Sequence, residues 1–420
     1  MNIVITGSAG VGKSTIIRCL MALGHYHLFE QDVEVSEMYE FNKTVQKQLK
    51  FAFGVSTKAE VSQVLIDQPD QLAKNIRHLF RIFGPKVQQR LYKAVALAEK
   101  EQKHLLIDFP MYFEAQDICP EFLPFKVELV INLSLEDSIR RERLRTRGVP
   151  ADRIALFESM QYSQEYKALQ TDQAVTIKLD ETQASTGIAY HIANFISQIE
   201  EISIQVEKLL DSGFNYNRLG PYYFEDNRSY HNLNTHILPM LIELYKAVSK
   251  YSITVYSRHA LVYAILFHDL VYDVKSKTSE EQSADLFLKY IPRPTSIYKV
   301  PRSAMPVFRS LVAAHILSTK SHVTPNSFPL SLPEYASDNA LLLDLDMFIL
   351  ASDDILTYEA QIRQEYSCYS DEEYFNGRSQ FLSQLIGTKV FKTEYFKKYE
   401  DIAQGNLRIL LASIKLKYKF

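Results

Sequence analysis

At 420 residues, with 46% hydrophobic and 23% charged side chains, the chain has a globular composition and the length of roughly two or three domains. A formal net charge of -3 excludes nucleic-acid binding through bulk basicity, although not through a local groove. The three cysteines, Cys19, Cys119 and Cys368, are too far apart for a zinc or disulfide framework and point to a reducing compartment. No apolar run reaches the length of a membrane span, and a strand begins with the first residues, so the chain is read as cytoplasmic, with no membrane partner. There is no Trp, and the 26 Tyr and 24 Phe are read as packing.

The first element is the apolar run Ile3-Val4-Ile5, followed by Gly7, Ser8, Ala9, Gly10, Val11, Gly12, Lys13, Ser14 and Thr15, with a helix expected from Ser14 to Leu23 that ends at Gly24. A G-x-x-x-x-G-K-[ST] pattern between a strand and a helix is a phosphate cradle, because successive backbone amides turn inward and the helix adds its positive end. Lys13 is expected to neutralise the β- and γ-phosphates of a nucleotide, and the Ser14 hydroxyl to hold Mg²⁺. His27-Leu28-Phe29 reads as a second strand leading to Glu30 and Asp32. Residues 36–103 are helical in pattern, with interruptions at Asp67-Gln68-Pro69 and at Gly84-Pro85. His104 to Ile107 and Lys126 to Leu133 read as buried strands, the first ending in the carboxylate of Asp108. Alternating strands and helices predict an αβα domain on a parallel sheet, with ligands at the carboxyl ends of the strands. Glu136 to Arg147 is a helix with Arg143 and Arg147 one turn apart, either a phosphate clamp or a solvated face balanced by Glu136 and Glu142.

Taken together, these pieces resemble the dephospho-CoA kinases over approximately residues 1–200. The carriers are the loop from Thr6 to Thr15, Ala22-Leu23-Gly24, Asp67-Gln68-Pro69, Ile82 to Val87, Asp108 to Glu114, and Arg143, Arg147 and Gln161. The resemblance implies ATP and Mg²⁺ as cofactors, Asp32 or Glu30 as base or metal-side carboxylate, Asp108 and Glu114 along the acceptor site, and Arg143 and Arg147 in a lid. Glu30-Gln31-Asp32 stands where that family has a paired Asp-x-Asp, Ser36 where it has Arg, and Gly84 where it has His.

The pattern changes near Ser212-Gly213 and Gly220-Pro221, which divides the chain into domains 1–205 and 206–420. The second half is helical and carries six of the eleven histidines between positions 231 and 322. His268-Asp269 sits in the apolar helix expected from Arg258 to Asp273, where a neighbouring His-Asp pair is costly to bury unless a metal takes up its lone pairs. His231 and His236 upstream, and Asp344 and Asp346 downstream, supply mixed nitrogen and oxygen ligands from separate helices, and such a set can surround one divalent cation and activate a water. Singly, His268 is equally a satisfied core histidine and Asp344 or Asp346 a helix cap, and His259 is read as structural.

This half resembles the HD-superfamily metal-dependent phosphohydrolases over approximately residues 210–420, on Arg228 to His236, Phe267 to Asp273, Glu280 to Ala284, Ser318 to His322, Asp344-Leu345-Asp346, Ile362 to Tyr366 and Gly377-Arg378. The resemblance implies an all-α domain, and His236, His268, Asp269 and Asp346 as ligands of a divalent metal (Mg, Mn, Fe, Co or Ni). It implies His231 as proton donor to the leaving oxygen. Arg228, Arg363 and Arg378 are candidates for phosphate contact, since a planar guanidinium matches phosphate oxygens in pairs. His231 and His236 are five apart where similar sequences have four, so either His231 precedes the helix or the two roles differ. His315 and His322 are either ligands of a second ion or helix-surface histidines.

The expectation is a bifunctional enzyme acting on nucleotide or small-molecule phosphates: a P-loop kinase, with dephospho-CoA the implied acceptor, fused to a phosphohydrolase. Two alternatives are an RNA-repair enzyme that phosphorylates 5′-hydroxyl ends and clears 3′-phosphates from RNA ends, and a kinase gated by a ligand-sensing second domain.

Overall fold

Three runs, Asn2–Gly7 (β1), His104–Asp108 (β3) and Leu129–Ser134 (β4), are apolar without alternation and are almost wholly buried. Strands that read this way are covered on both faces, as in a parallel sheet flanked by helices. With Tyr26–Glu30 (β2) and Val175–Lys178 (β5) they form a five-stranded sheet in the order β2-β3-β1-β4-β5, every pairing parallel. Register places Asp108 beside both Ile5 and Glu30, so the phosphate loop and two carboxylates emerge from one edge. The computed structural model describes the chain apart from residues 119, 121–126, 171–173, 181–183, 213, 215, 217–218, 225–226, 252, 292–296, 298, 323–332 and 419–420. Cys119, Lys126 and Gly213 therefore lie outside the described residues.

The helical stretch after β2 divides where local chemistry stops it. Asn42 accepts from the amides of Thr44 and Val45 to cap Lys43–Phe53, which ends at Gly54 in the left-handed region. Thr57 and Glu60 form a reciprocal capping box at the start of Lys58–Asp67. The break expected at Gly84-Pro85 is absent, since Leu72–Lys100 runs through it as one helix. A proline there costs about 3 kcal/mol. Burial of Ile82, Phe83, Val87 and Leu91 in the core outweighs that local cost, because the whole face is packed.

The chain divides into two compact units, Met1–Ile196 with Asn215–Pro221, and Ser197–Phe214 with Tyr222–Phe420. Residue 205, the expected limit, falls inside the continuous helix Ser185–Leu210. The second unit is helical. Its central helix, Val255–Phe267, is buried from Ser257 to Phe267 at every position but Arg258, as an apolar-all-round sequence requires. That helix ends at Phe267 rather than Asp273, so His268 and Asp269 stand at the helix terminus and the turn after it. Among the described residues, no helix is long and apolar enough to cross a membrane.

Candidate functional site

In the first unit the loop after β1 can only be built with glycine. Gly7 (φ +141°) and Gly10 (φ +85°) lie where side chains are strained, and added Cβ atoms would stand 2.5 Å from the Leu133 oxygen and 2.9 Å from the Arg140 oxygen. The helix Lys13–Met21 starts at Gly12 with no side-chain cap and no acidic residue in its first turn. Its first amides and positive end are thus left for an anion. Lys13, only 9% exposed, donates from Nζ to the Gly7 carbonyl at 3.0 Å. Burial lowers its pKa, opposed by the charges of Asp108 and Asp32.

Three side chains from outside the motif hold the loop. Arg140, 4% exposed, donates to the Ala9 carbonyl at 3.1 Å and to Glu158 at 2.7 Å. Arg143 reaches the Val11 carbonyl at 3.4 Å, and Gln161 Oε1 accepts from the Ala9 amide at 3.3 Å. Arg147 is exposed where the helix Asp137–Thr146 ends. Of the two arginines named from spacing, one touches the loop. Arg140 was missed, although it lies three residues before Arg143 and so on the same face.

Asp108 is pushed up to about 6 by burial, with Lys13 opposing and Asp32 and Glu30 adding to the rise, and its Oδ1 has no hydrogen-bond partner. Asp32 is exposed in the first turn of Gln31–Phe41. Glu114 is committed elsewhere than the acceptor role read for it: it is 2% exposed, accepts from the Tyr162 amide at 2.5 Å and pairs with Lys167, itself 1% exposed, at 3.1 Å. Lys167 carried no motif signal.

In the second unit four side chains from three segments converge. His236 and His268 bring their Nε2 atoms to 3.0 Å, Asp269 Oδ2 lies 3.3 and 3.2 Å from them, and Asp346 Oδ1 lies 3.4 and 3.8 Å from them. Ligand atoms of His236, His268 and Asp346 are all within 4.8 Å of one another. The outer ring nitrogens are occupied: His268 Nδ1 donates to the Ile265 carbonyl at 2.9 Å, and His236 Nδ1 meets the Tyr230 hydroxyl at 3.2 Å. Such partners fix each imidazole with Nε2 facing inward, the arrangement of a metal ligand. Burial disfavours charge on His268, yet Asp269 and Asp346 hold its pKa up to about 9, and Asp269 is held well below the carboxylate range. The cluster demands a cation, which a proton or a metal can supply. The donor set fits a divalent ion.

The five-residue spacing of His231 and His236 has a local cause. Asn232 caps a π-helical turn, Leu233–Ile237, accepting from the Asn234 and Thr235 amides, and the Ile237 amide bonds back to the Asn232 carbonyl at 3.2 Å. His231 therefore precedes the helix. Its Nδ1 lies 2.7 Å from Glu365 Oε2, and its ring stacks on Tyr272, whose hydroxyl donates to the same carboxylate at 2.8 Å. Glu365 was missed as a site residue. Burial raises its pKa, but hydrogen bonds from His231 and the Tyr230 amide leave it lowered.

The three arginines named for phosphate are otherwise employed, because each guanidinium has protein acceptors. Arg228 donates to the carbonyls of Asp269 at 2.6 Å, Leu270 at 2.8 Å and His231 at 3.3 Å, bolting the turn at His231 to the turn at Asp269. Arg363 is taken by the Tyr366 and Tyr369 carbonyls and Asp371, and Arg378 by Glu359. Asp344, buried, accepts from the Lys392 and Thr393 amides at 2.7 Å each, which ties it to that turn rather than to a helix end and leaves Asp346 to the cluster. His322 Nε2 is 3.2 Å from Asp346 Oδ2. His315 is neither a surface histidine nor a member of the cluster: it is buried, faces Asn339 Nδ2 at 3.3 Å, and burial lowers its pKa to about 3. His259 is buried with Nδ1 2.7 Å from the Val255 carbonyl.

No protein-family model matches the chain. It is similar to the dephospho-CoA kinase of Wolbachia pipientis wMel, 23% identical over 175 residues, which span 41% of this chain and 86% of that protein. It is also similar to the dephospho-CoA kinase of Mycoplasma pneumoniae, 24% identical over 161 residues, 37% of this chain and 76% of that protein. Among solved structures it is similar to TT1252 from Thermus thermophilus, at 18% identity and a TM-score of 0.38, over 46% of this chain and 96% of that one. The N-terminal region thus resembles the dephospho-CoA kinases at low identity.

Proposed function

We propose that the chain is a bifunctional phosphate enzyme. Residues 1–205 transfer the γ-phosphoryl group of ATP to a nucleotide-type hydroxyl, and residues 206–420 hydrolyse a phosphate ester. The kinase reading rests on the uncapped helix behind a glycine loop with Lys13 folded into it, supported by two relatives named dephospho-CoA kinases. Dephospho-CoA is accordingly the acceptor proposed. Lys13 leaves the Gly7 carbonyl for the phosphates, Ser14 and the exposed Asp32 serve the Mg²⁺ side, and Arg143 meets charge spread over the transferring oxygens. Asp108, with a pKa near the working pH and a free oxygen, takes the proton of the attacking hydroxyl.

The hydrolase reading rests on one observation, the meeting of His236, His268, Asp269 and Asp346 around a point where a divalent ion fits. When bound, that ion supplies Lewis acidity and a water of lowered pKa. His231, oriented by Glu365 and Tyr272, stands beside the ligands to hand a proton to the leaving oxygen.

The test is a paired assay of the purified chain. With labelled ATP and Mg²⁺, label is expected in dephospho-CoA; label appearing only in a 5′-hydroxyl oligonucleotide would replace that acceptor with RNA ends. With Mn²⁺ titrated by calorimetry, one or more ions are expected per chain. Absence of binding would sink the hydrolase reading.

A further inference from the structure

The first unit carries a second surface suited to anions, on two helices that share its apolar core through Val45, Leu49 and Ile82. Lys43–Phe53 has three lysines and no acidic residue. Leu72–Lys100 has seven Lys or Arg and one acid, Glu99, near its far end. In a chain of net charge -3 this is a strong local excess, of the kind that an overall negative balance does not exclude.

Between these helices runs a groove of about 410 Å³. Thr44, Lys47, Gln48 and Phe51 line one side, spaced i, i+3, i+4 and i+7 and so on one face of their helix. His78 and Arg81 line the other, with Lys74 one turn before His78, and no acidic side chain lines the groove. Among the described residues, Lys43, Lys47, Lys74, Arg77 and Arg81 form no ion pair, whereas Arg90, farther along the second helix, pairs with Glu34 and Glu37. Lys43 and Lys47, like Arg77 and Arg81, stand four apart, where like charges repel unless an anion screens them. Phe51 is the apolar member. Its ring is 94% exposed, and Phe41, just before the helix, is 77% exposed. A lone exposed ring is ordinary, but a ring among uncompensated cations on a concave face is the combination that single strands require, charge for phosphates and a π face for a base.

We propose that this groove binds a single-stranded polynucleotide, with phosphates on Lys47, Lys74 and Arg81 and one base on the Phe51 ring. Thr44 and Gln48, beside the ring, supply neutral hydrogen-bonding groups for the base edge. A duplex keeps its bases stacked and away from a side-chain ring. An acidic peptide would use the cations but brings no regular π face, and an anionic bilayer receives a protruding apolar face rather than a groove. The proposal holds whichever acceptor the first unit phosphorylates.

The test is fluorescence anisotropy of the full chain with labelled oligouridylate and oligothymidylate of about ten nucleotides, titrated at several salt concentrations. A non-hydrolysable ATP analogue and Mg²⁺ are present to occupy the phosphate loop. Each phosphate contact on a single strand adds about -0.7 to the slope of log affinity against log salt, so three contacts give about -2. Lys47→Ala and Arg81→Ala should each flatten that slope by about 0.7. Phe51→Ala should leave the slope unchanged and weaken binding at least about fivefold, the lower limit for one stacked base. All three side chains are exposed, so the variants should keep the melting temperature of the unsubstituted chain. A preference for oligouridylate or for oligothymidylate identifies the strand as RNA or DNA, and either supports the proposal. Absence of binding at low salt, a slope unmoved by Lys47→Ala and Arg81→Ala, or an affinity indifferent to Phe51→Ala would overturn it. Tighter binding of a duplex of equal length, of polyglutamate or of phosphatidylserine vesicles would overturn it as well, and would assign the face to that class of partner instead.

Discussion

The two proposed phosphate sites are built on opposite principles. The loop of the first unit is a single run, Gly7 to Ser14, in which backbone amides are proposed to do the binding and glycines are present because side chains would collide with Leu133 and Arg140. The cluster of the second unit takes His236, His268, Asp269 and Asp346 from three segments that together span more than a hundred positions, and uses side chains alone. A backbone site keeps its shape through local conformation. A side-chain site depends on what stands behind each ligand, here Tyr230, the Ile265 carbonyl and Arg228. The first should fail when one cation or one glycine is lost, the second when any supporting contact goes.

The largest effects are expected at the groups proposed to touch phosphate or metal. Asp269→Ala removes a ligand that faces both histidines, so Mn²⁺ affinity should drop at least about 100-fold, since even supporting partners are worth 10–100-fold. Lys13→Ala should lower phosphoryl transfer at least about 100-fold, the usual cost of losing one positioned donor. Each change should leave the other site's readout intact. If either folded variant lost both metal binding and transfer, the two sites would not be independent and the comparison would collapse.

Contiguity decided how much of this the sequence disclosed. The parallel sheet follows from Ile3 to Ile5 and Leu105 to Ile107, whose unbroken apolar runs admit few other environments, and the cradle from eight adjacent residues. Arg140, which grips that cradle, and the Glu114–Lys167 pair come from helices whose approach is set by packing, which no short pattern encodes. In the second unit Asp344 and Asp346 were indistinguishable by type. Two residues apart, they turn about 200° from one another on a helix, and only the position of Thr393 shows that Asp344 holds a neighbouring turn. Glu365 was hidden for the same reason. Tyr358, Tyr366 and Tyr374 do pack against neighbouring rings, as read, and the space they also border depends on how their helices are set.

A subtler change sharpens the contrast by touching neither metal nor phosphate. Arg228→Lys keeps the charge but cannot span the carbonyls of His231, Asp269 and Leu270 together, because a point ammonium lacks the planar fork. Mn²⁺ affinity should fall about 10-fold, within the range for outer partners, while ATP binding is unchanged. A fall confined to stability, with metal affinity retained in the folded fraction, would show that Arg228 braces the fold without positioning the ligands.

The smallest effect concerns Asp108 and is read from its pH dependence. Its folded pKa of about 6 lies above the ordinary aspartate value of 3.8, so the folded chain holds this proton more tightly than the unfolded one. Stability therefore declines as pH rises from about 4 through about 6, and the full cost is present above that window. At 1.36 kcal/mol per unit the cost is on the order of 2–3 kcal/mol, borne by the carboxylate that the proposed proton transfer requires. Asp108→Asn cannot ionise and should escape it. The first unit of the variant should melt above that of the unsubstituted chain at pH 8, with a difference of a few degrees that disappears near pH 4, while phosphoryl transfer is lost. A melting difference independent of pH would show that Asp108 is not strained by its charge, and the proton-acceptor role proposed for it would have to pass to Asp32.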